Sequence, residues 1–404
     1  MTRITLLVSA LVLCFSINAQ NNFLLDTYLE VGISECGTHI TNSEPFGSNS
    51  NGFNGLGIVA DPEQDGWDVG TLSNYCGDFV SPGSPVEGFA IEYDGTVKKN
   101  GGQCNSFLGD DFIGGNTLHS STAIFSSNLW EGGTNDGIEV RQLSVVANGS
   151  RSIIHRIEIC NQTGADISNM YYMRNADPDN SQPWTGSFAT KNFTKGFSFG
   201  TGASAVARSI DIGCEFLLLS ADENATASYG NFNIGTPSDA ISGLAGYNLT
   251  GSATADQAIQ LTFDIGAVND GDCACVAFAY VTDREEGIAA WKATKVACNT
   301  SLDGILGISE EGKLAEALFG SSNADLRAKI SVYPNPANRT FIVDISGLNP
   351  ELSVINLYNS IGALVLTRQA SSSTEPIQHN LPAGMYVINV ESEGKQHSTR
   401  IAIK

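Results

Sequence analysis

Across residues 20–300 apolar and polar positions alternate in short runs, the period of a strand with one face buried. Residues 138–145 and 152–160 both alternate cleanly, and the hairpin signal Asn148-Gly149 stands between them. A turn at 161–164 leads into a further strand at 167–173, and 261–265 and 275–281 continue the pattern. Long helical periodicity is rare. The pattern predicts an all-β protein whose main part, residues 20–300, is a large antiparallel β-sandwich with two packed sheets.

Helix is expected only towards the end of that part. Thr282-Asp283-Arg284-Glu285 fits a capping box, in which the Thr and Glu side chains satisfy each other's free N–H groups. Ile288, Ala289, Trp291 and Val296 would then face a sheet. A second short helix is expected at 308–319 with Gly320 as its stop, so that 301–328 form a helix and linker. Strands return after it. Residues 329–333 alternate, and Pro334 ends the run by denying a ladder donor. Phe341, Val343 and Ile345 share one face, and Ile355 and Leu357 alternate with Val354, Asn356 and Tyr358. Gly362 and Pro382-Ala383-Gly384 supply turns, and 398–403 close the set. About seven strands result, the number of a small immunoglobulin-like β-sandwich.

Three segments of this tail follow one another in a set order. They are Tyr333-Pro334-Asn335-Pro336, then Asn356-Leu357-Tyr358-Asn359-Ser360-Ile361-Gly362, then Leu381-Pro382-Ala383-Gly384-Met385-Tyr386-Val387. With these motifs residues 329–404 resemble the type A C-terminal sorting domain of the type IX secretion system of Bacteroidota. The resemblance implies that Tyr333, Pro334, Asn335, Pro336, Gly362, Leu381, Pro382, Gly384 and Tyr386 carry a sorting signal. It also implies two partners, the outer-membrane translocon and its processing enzyme, and a destination outside the cell or on its outer surface, reached through the periplasm. It covers under a fifth of the chain and leaves the cargo unrecognised.

The N-terminus fits this address. Arg3, an apolar run at 4–17 and the small Ala19 read as a signal peptide over 1–19. Val12-Leu13 before Cys14 is the wrong context for lipid attachment, and no later run is long enough to span a bilayer. Cleavage would leave eight of the nine cysteines, an even number suited to an oxidising compartment. Cys76 and Cys104 flank one loop-rich stretch and are expected to form a local bridge. Cys273 and Cys275 lie on one strand face and are expected to reach two different partners. Without a CxxC pair or a nearby His, disulfides outweigh a thiolate metal site.

Charge separates the two parts. The chain holds 21 basic and 43 acidic residues, a net of −22. Residues 329–404 hold six basic and five acidic; apart from them and Arg3, the cargo holds 14 basic and 38 acidic residues, net −24. Such a surface repels nucleic acid and anionic lipid and suits a protein that binds divalent cations.

Three acidic loops are the cation candidates, with calcium as the expected cofactor. The first offers Asp61, Glu63, Asp65 and Asp68 around Gly66, although Leu72 rather than Glu stands at the twelfth position, which excludes an EF-hand. The second offers Asp177 and Asp179, and the third is Asn269-Asp270-Gly271-Asp272. Against each stands the plain alternative that Asp, Asn, Pro and Gly make turns. Trp67 and Trp184 sit in polar loops where their rings could stack on a sugar or plug the end of a core. Gly196-Phe197-Ser198-Phe199-Gly200 matches a nucleophile elbow, but its phenylalanines alternate as in a strand and the βα context is missing. His155 is expected to be structural, and His39 and His119 fall in polar loops; no catalytic residue is assigned. The expected function is recognition of a glycan or surface polymer by a secreted or surface-attached sandwich. A carbohydrate-active enzyme with paired carboxylates and a structural surface-layer component are the alternatives.

Overall fold

A computed structural model describes residues 21–50, 55–64, 66–67, 76–83, 86–104, 108–121, 125–195, 201–299, 331–333, 335–345, 350–359, 363–392 and 395–404. The signal peptide expected at 1–19, the helix expected at 308–319, the expected linker and the 196–200 motif lie outside these residues. The chain divides into two compact units, Met1–Leu318 and Phe319–Lys404.

The first unit is built on two antiparallel sheets. In spatial order the larger runs Ser252–Ala255, Thr190–Thr194, Ala203–Ser209, Glu215–Ser220, Cys273–Val281, Ser152–Asn161, Ile138–Ala147, Phe125–Gly133 and Ile113–Ser121. The smaller runs Tyr247–Asn248, Ala225–Gly230, Ala258–Val268, Ile167–Ala176, Glu87–Tyr93 and Thr96–Gly101. The Asn148-Gly149 hairpin forms as the sequence implies, pairing Val145 with Ile154, and Gly149 takes the positive φ of 78° that such a turn needs. One apolar core joins both sheets: Ile153, Ile157, Phe278 and Phe216 from the larger, Phe89, Ile91, Tyr172 and Phe263 from the smaller. A third sheet, Asn22–Leu25, Leu29–Ile33 and Ile58–Ala60, was not foreseen. Its middle strand alternates Leu29, Val31 and Ile33 with Glu30 and Gly32, yet all five residues are buried.

Helix is not confined to the end of the cargo. Short helices also occur at Gln182–Thr185 and Pro237–Ser242, the second closed by Gly243 at φ 68°. The helix Gly287–Ala297 is present but turned relative to expectation: Ala290, Ala293, Thr294 and Ala297 are buried, and Ile288 is exposed. Small side chains let the helix lie close on the sheet, and the Cys275–Cys298 bridge fastens its end. Asp283, not Thr282, caps the entry by accepting from the Glu285 N–H, while Thr282 donates to the Arg151 carbonyl. The bridge expected between Cys76 and Cys104 does not form; Cys36 pairs with Cys104 and Cys76 with Cys214. Cys273 and Cys275 reach separate partners, Cys160 and Cys298.

Polar residues occupy the middle of the sandwich core. Arg174 and Glu87 are both fully buried and joined at 2.6 Å, and Tyr280 donates to the same Glu87 oxygen. His39, expected in a polar loop, is instead buried, 4.9 Å from the His155 ring. Burial lowers both imidazoles, His39 to about 4 and His155 well below its usual value; the positive charge of Arg174 adds to both shifts, while Glu87 opposes that of His39. Both rings are therefore neutral in the folded protein. As pH falls from about 6.5 to about 4, the unfolded chain takes up protons that the folded chain refuses, at a cost on the order of 3 kcal/mol for His39 alone. Between neutral pH and pH about 5 the urea midpoint of the full chain is expected to fall relative to that of His155→Gln, a comparison in which the buried carboxylates, which respond in the opposite sense, cancel. Parallel pH profiles for parent and variant would refute this account.

The second unit has seven described strands in two sheets. One is Ser331–Tyr333, Thr340–Asp344 and Thr374–Gln378; the other is Leu364–Gln369, Ser353–Tyr358, Gly384–Ser392 and Lys395–Ile403. Phe341, Val343, Ile345, Ile355 and Leu357 point into a common core, as their alternation implies.

Candidate metal centre

The strand Ile167–Ala176 leads directly into the acidic loop at 177–179. Two backbone bonds fix that loop: Asp177 N–H donates to the Val86 carbonyl at 2.9 Å and Asp179 N–H to the Phe79 carbonyl at 3.0 Å. The facing segment 76–83 is itself held firmly. Cys76 is bridged to Cys214, and the buried Asp78 carboxylate accepts from the N–H groups of Gly57, Ile58, Val80 and Ser81. Gly83 has φ +74°, and a Cβ built there would lie 2.3 Å from Asp179 Oδ2 and 2.9 Å from Phe188. A glycine is therefore required for Asp179 to lean this closely on the loop.

Asp256 completes the group. It follows the strand Ser252–Ala255, which pairs with Thr190–Thr194 and so returns the chain to the 177–188 segment. Carboxylate oxygens of Asp177, Asp179 and Asp256 all lie within 4.8 Å of one another. Oxygens that share one calcium ion at its usual 2.3–2.6 Å are at most about 5 Å apart, so the spacing fits a common ion. Asp177 and Asp179 are 4% and 3% exposed, and each has an Oδ1 without a hydrogen-bond partner. Side-chain oxygens of Gln182 and Gln257 are also buried and unpartnered. Burial, followed by the neighbouring carboxylates, raises Asp177 and Asp179 far above the ordinary range, and burial raises Asp256. Two buried carboxylates this close cost free energy unless a proton or a cation joins them. An all-oxygen, all-acidic donor set suits a hard cation such as calcium, not zinc or copper.

The other sequence candidates are placed differently. Asp61 is buried and its Oδ2 accepts from the N–H groups of Gly66 and Trp67, while Glu63 is exposed. Asp65 and Asp68 lie outside the described residues. The 269–272 loop is exposed and tied by a turn bond, Asn269 Nδ2 to Asp272, and by a bond to a second loop, Asp270 N–H to Asp166. Trp67 and Trp184 come together as half-buried rings against Leu56 and Val59. In the tail, Asn335 Oδ1 accepts from Ala402 N–H, Tyr386 Oη donates to the Pro382 carbonyl, and Leu381 packs on the core. Tyr333, Pro336 and Gly384 fall within the described chain, whereas Pro334 and Gly362 lie outside it. No described helix is long and apolar enough to cross a membrane.

No curated protein matches the chain. Among solved structures it is similar to heparinase III, at 8% identity over 77% of this chain and 29% of that one, with a TM-score of 0.28. It is similar to the heparan sulfate lyase HepC of Pedobacter heparinus, at 8% over 65% and 36%, TM-score 0.31. The chain thus spans only about a third of the lyases it matches. A putative aldose 1-epimerase of Escherichia coli K12 matches at 9% over 65% and 99%, TM-score 0.31. Likeness at this level says nothing of activity. The tail is different: residues 331–404 match the family model of the secretion system C-terminal sorting domain. The protein is thus a type IX sorting-domain protein, addressed to the cell surface or the extracellular space.

Proposed function

We propose that the exported sandwich is a calcium-dependent binding protein for an extracellular polysaccharide. The observation that carries the reading is the convergence of Asp177, Asp179 and Asp256, two of them buried with unpartnered oxygens. A calcium ion there would be held by these three carboxylates and would offset the repulsion among them. It would also join the end of the strand Ile167–Ala176 to the edge strand Ser252–Ala255, fixing the short helix that carries Trp184 and the turn after it that carries Phe188. Half-exposed rings beside a fixed ion are the parts of a recognition site. The translocon reads the tail, and a processing enzyme removes it once the cargo is outside.

Calcium at about a hundred times its dissociation constant is expected to stabilise the full chain by about 3 kcal/mol, or about 5–10 °C in melting temperature. EDTA reverses the shift, and Asp177→Asn abolishes most of it. A chain whose melting temperature ignores both calcium and EDTA has no such centre. Release of soluble sugars from a bound polymer would replace the binding reading with an enzymatic one.

A further inference from the structure

We infer that the outward face of the cation takes neighbouring hydroxyls of a neutral sugar, with Phe188 covering the apolar face of the ring. The inference rests on the calcium reading above and names the ligand class of that same centre. Asp177 and Asp179 are buried while Asp256 is exposed, so the centre is reached from one side only. An ion held there keeps coordination positions for incoming oxygens, because calcium takes six to eight. Three carboxylates carry one negative charge more than a divalent cation neutralises. None of the ion pairs among the described residues includes them, so no described basic side chain cancels the surplus. The cargo around them carries a further net negative charge.

A uronate or sulfate group arriving at this face meets like charge in partly desolvated surroundings, where repulsion is poorly screened. A pair of adjacent hydroxyls offers two oxygen ligands and no charge. The site discriminates by charge in this way even though acidic polymers are the commoner calcium ligands. Phe188 supplies the second contact. It is 39% exposed, and its ring edge and Asp179 Oδ2 both approach the vacant Cβ position of Gly83, at 2.9 and 2.3 Å. A sugar bound to the ion is therefore within reach of the ring. Pyranose C–H faces pack on aromatic rings much as other apolar groups do.

The test is affinity electrophoresis of the full chain in gels containing mannan, a β-glucan, alginate or heparin, each run in millimolar calcium and in EDTA. Thermal melts with and without calcium run in parallel. The expected result is retardation by a neutral polymer in calcium alone, with weak or no retardation by alginate and heparin. Phe188→Ala lowers retardation about tenfold while the calcium melting shift persists, since the ring gives the ion no oxygen. A calcium melting shift with retardation only by the acidic polymers, or by none, overturns this inference and leaves the cation centre standing. Neutral-polymer retardation that survives EDTA overturns it as well. Loss of the calcium melting shift in the parent chain removes both the centre and the ligand class.

Discussion

Arg174→Ala is expected to destabilise the cargo by about 3–5 kcal/mol, the cost of leaving one member of a buried ion pair alone. The guanidinium has no exposure, and every partner is equally enclosed: Glu87 at 2.6 Å, Gln142 at 3.0 Å and Tyr280 at 3.1 Å. It also lies 5.8 Å from the Phe278 ring centre. Truncation leaves the buried Glu87 carboxylate with the Tyr280 hydroxyl and the His39 backbone N–H as donors and no cation opposite it. A double replacement, Arg174→Met with Glu87→Leu, removes both charges and is expected to recover much of the loss, because the pair itself gains little over apolar packing. Urea unfolding of the parent, both single variants and the double variant gives the coupling directly. A single variant within about 1 kcal/mol of the parent would show that the core does not depend on this pair.

The second large effect is expected at Asp78. Its two oxygens collect four backbone N–H groups from two segments, at 2.7 to 3.1 Å, with no water-exposed surface. Each buried donor left unmade costs about 1–3 kcal/mol, so Asp78→Ala is expected to cost several kcal/mol even if a water recovers part. Asp78→Asn is more informative. The amide oxygen can keep the three bonds that converge on Oδ1, but its NH₂ faces the Gly57 N–H that Oδ2 accepts. The expected loss is about 1–3 kcal/mol. Because Asp78 also holds the segment on which Asp179 rests, both variants should weaken the proposed calcium binding with none of the three carboxylates removed. Full calcium affinity in a folded Asp78→Asn chain would separate the loop from the centre.

The strands were legible because their residues alternate in polarity. In the 341–345 stretch and at 138–142 burial follows that alternation, whereas Ser152–Asn161 alternates although both of its faces are enclosed. What stayed hidden was long-range pairing. Asp177 and Asp179 stood out as an acidic loop, but nothing around Asp256 marks it; only the pairing of Ser252–Ala255 with Thr190–Thr194 brings it in. The His39–His155 contact and the Cys76–Cys214 bridge depend in the same way on which strands lie side by side. The helix Gly287–Ala297 was misoriented on the assumption that large apolar residues face inwards. Its buried side carries Gly287, Ala290, Ala293, Thr294 and Ala297, and Trp291 instead donates from its edge to the Thr201 carbonyl.

The four bridges have a consequence for survival outside the cell. Cys36–Cys104, Cys76–Cys214 and Cys160–Cys273 close loops that overlap in succession, so every peptide bond from 36 to 273 lies inside at least one of them. A protease that cuts once anywhere in that span nicks the chain without dividing it. The severed ends remain tethered, the sheets keep their neighbours, and the carboxylate centre stays assembled across the cut. For a protein sent among extracellular proteases, such redundancy means that a single hydrolytic event need not end its working life.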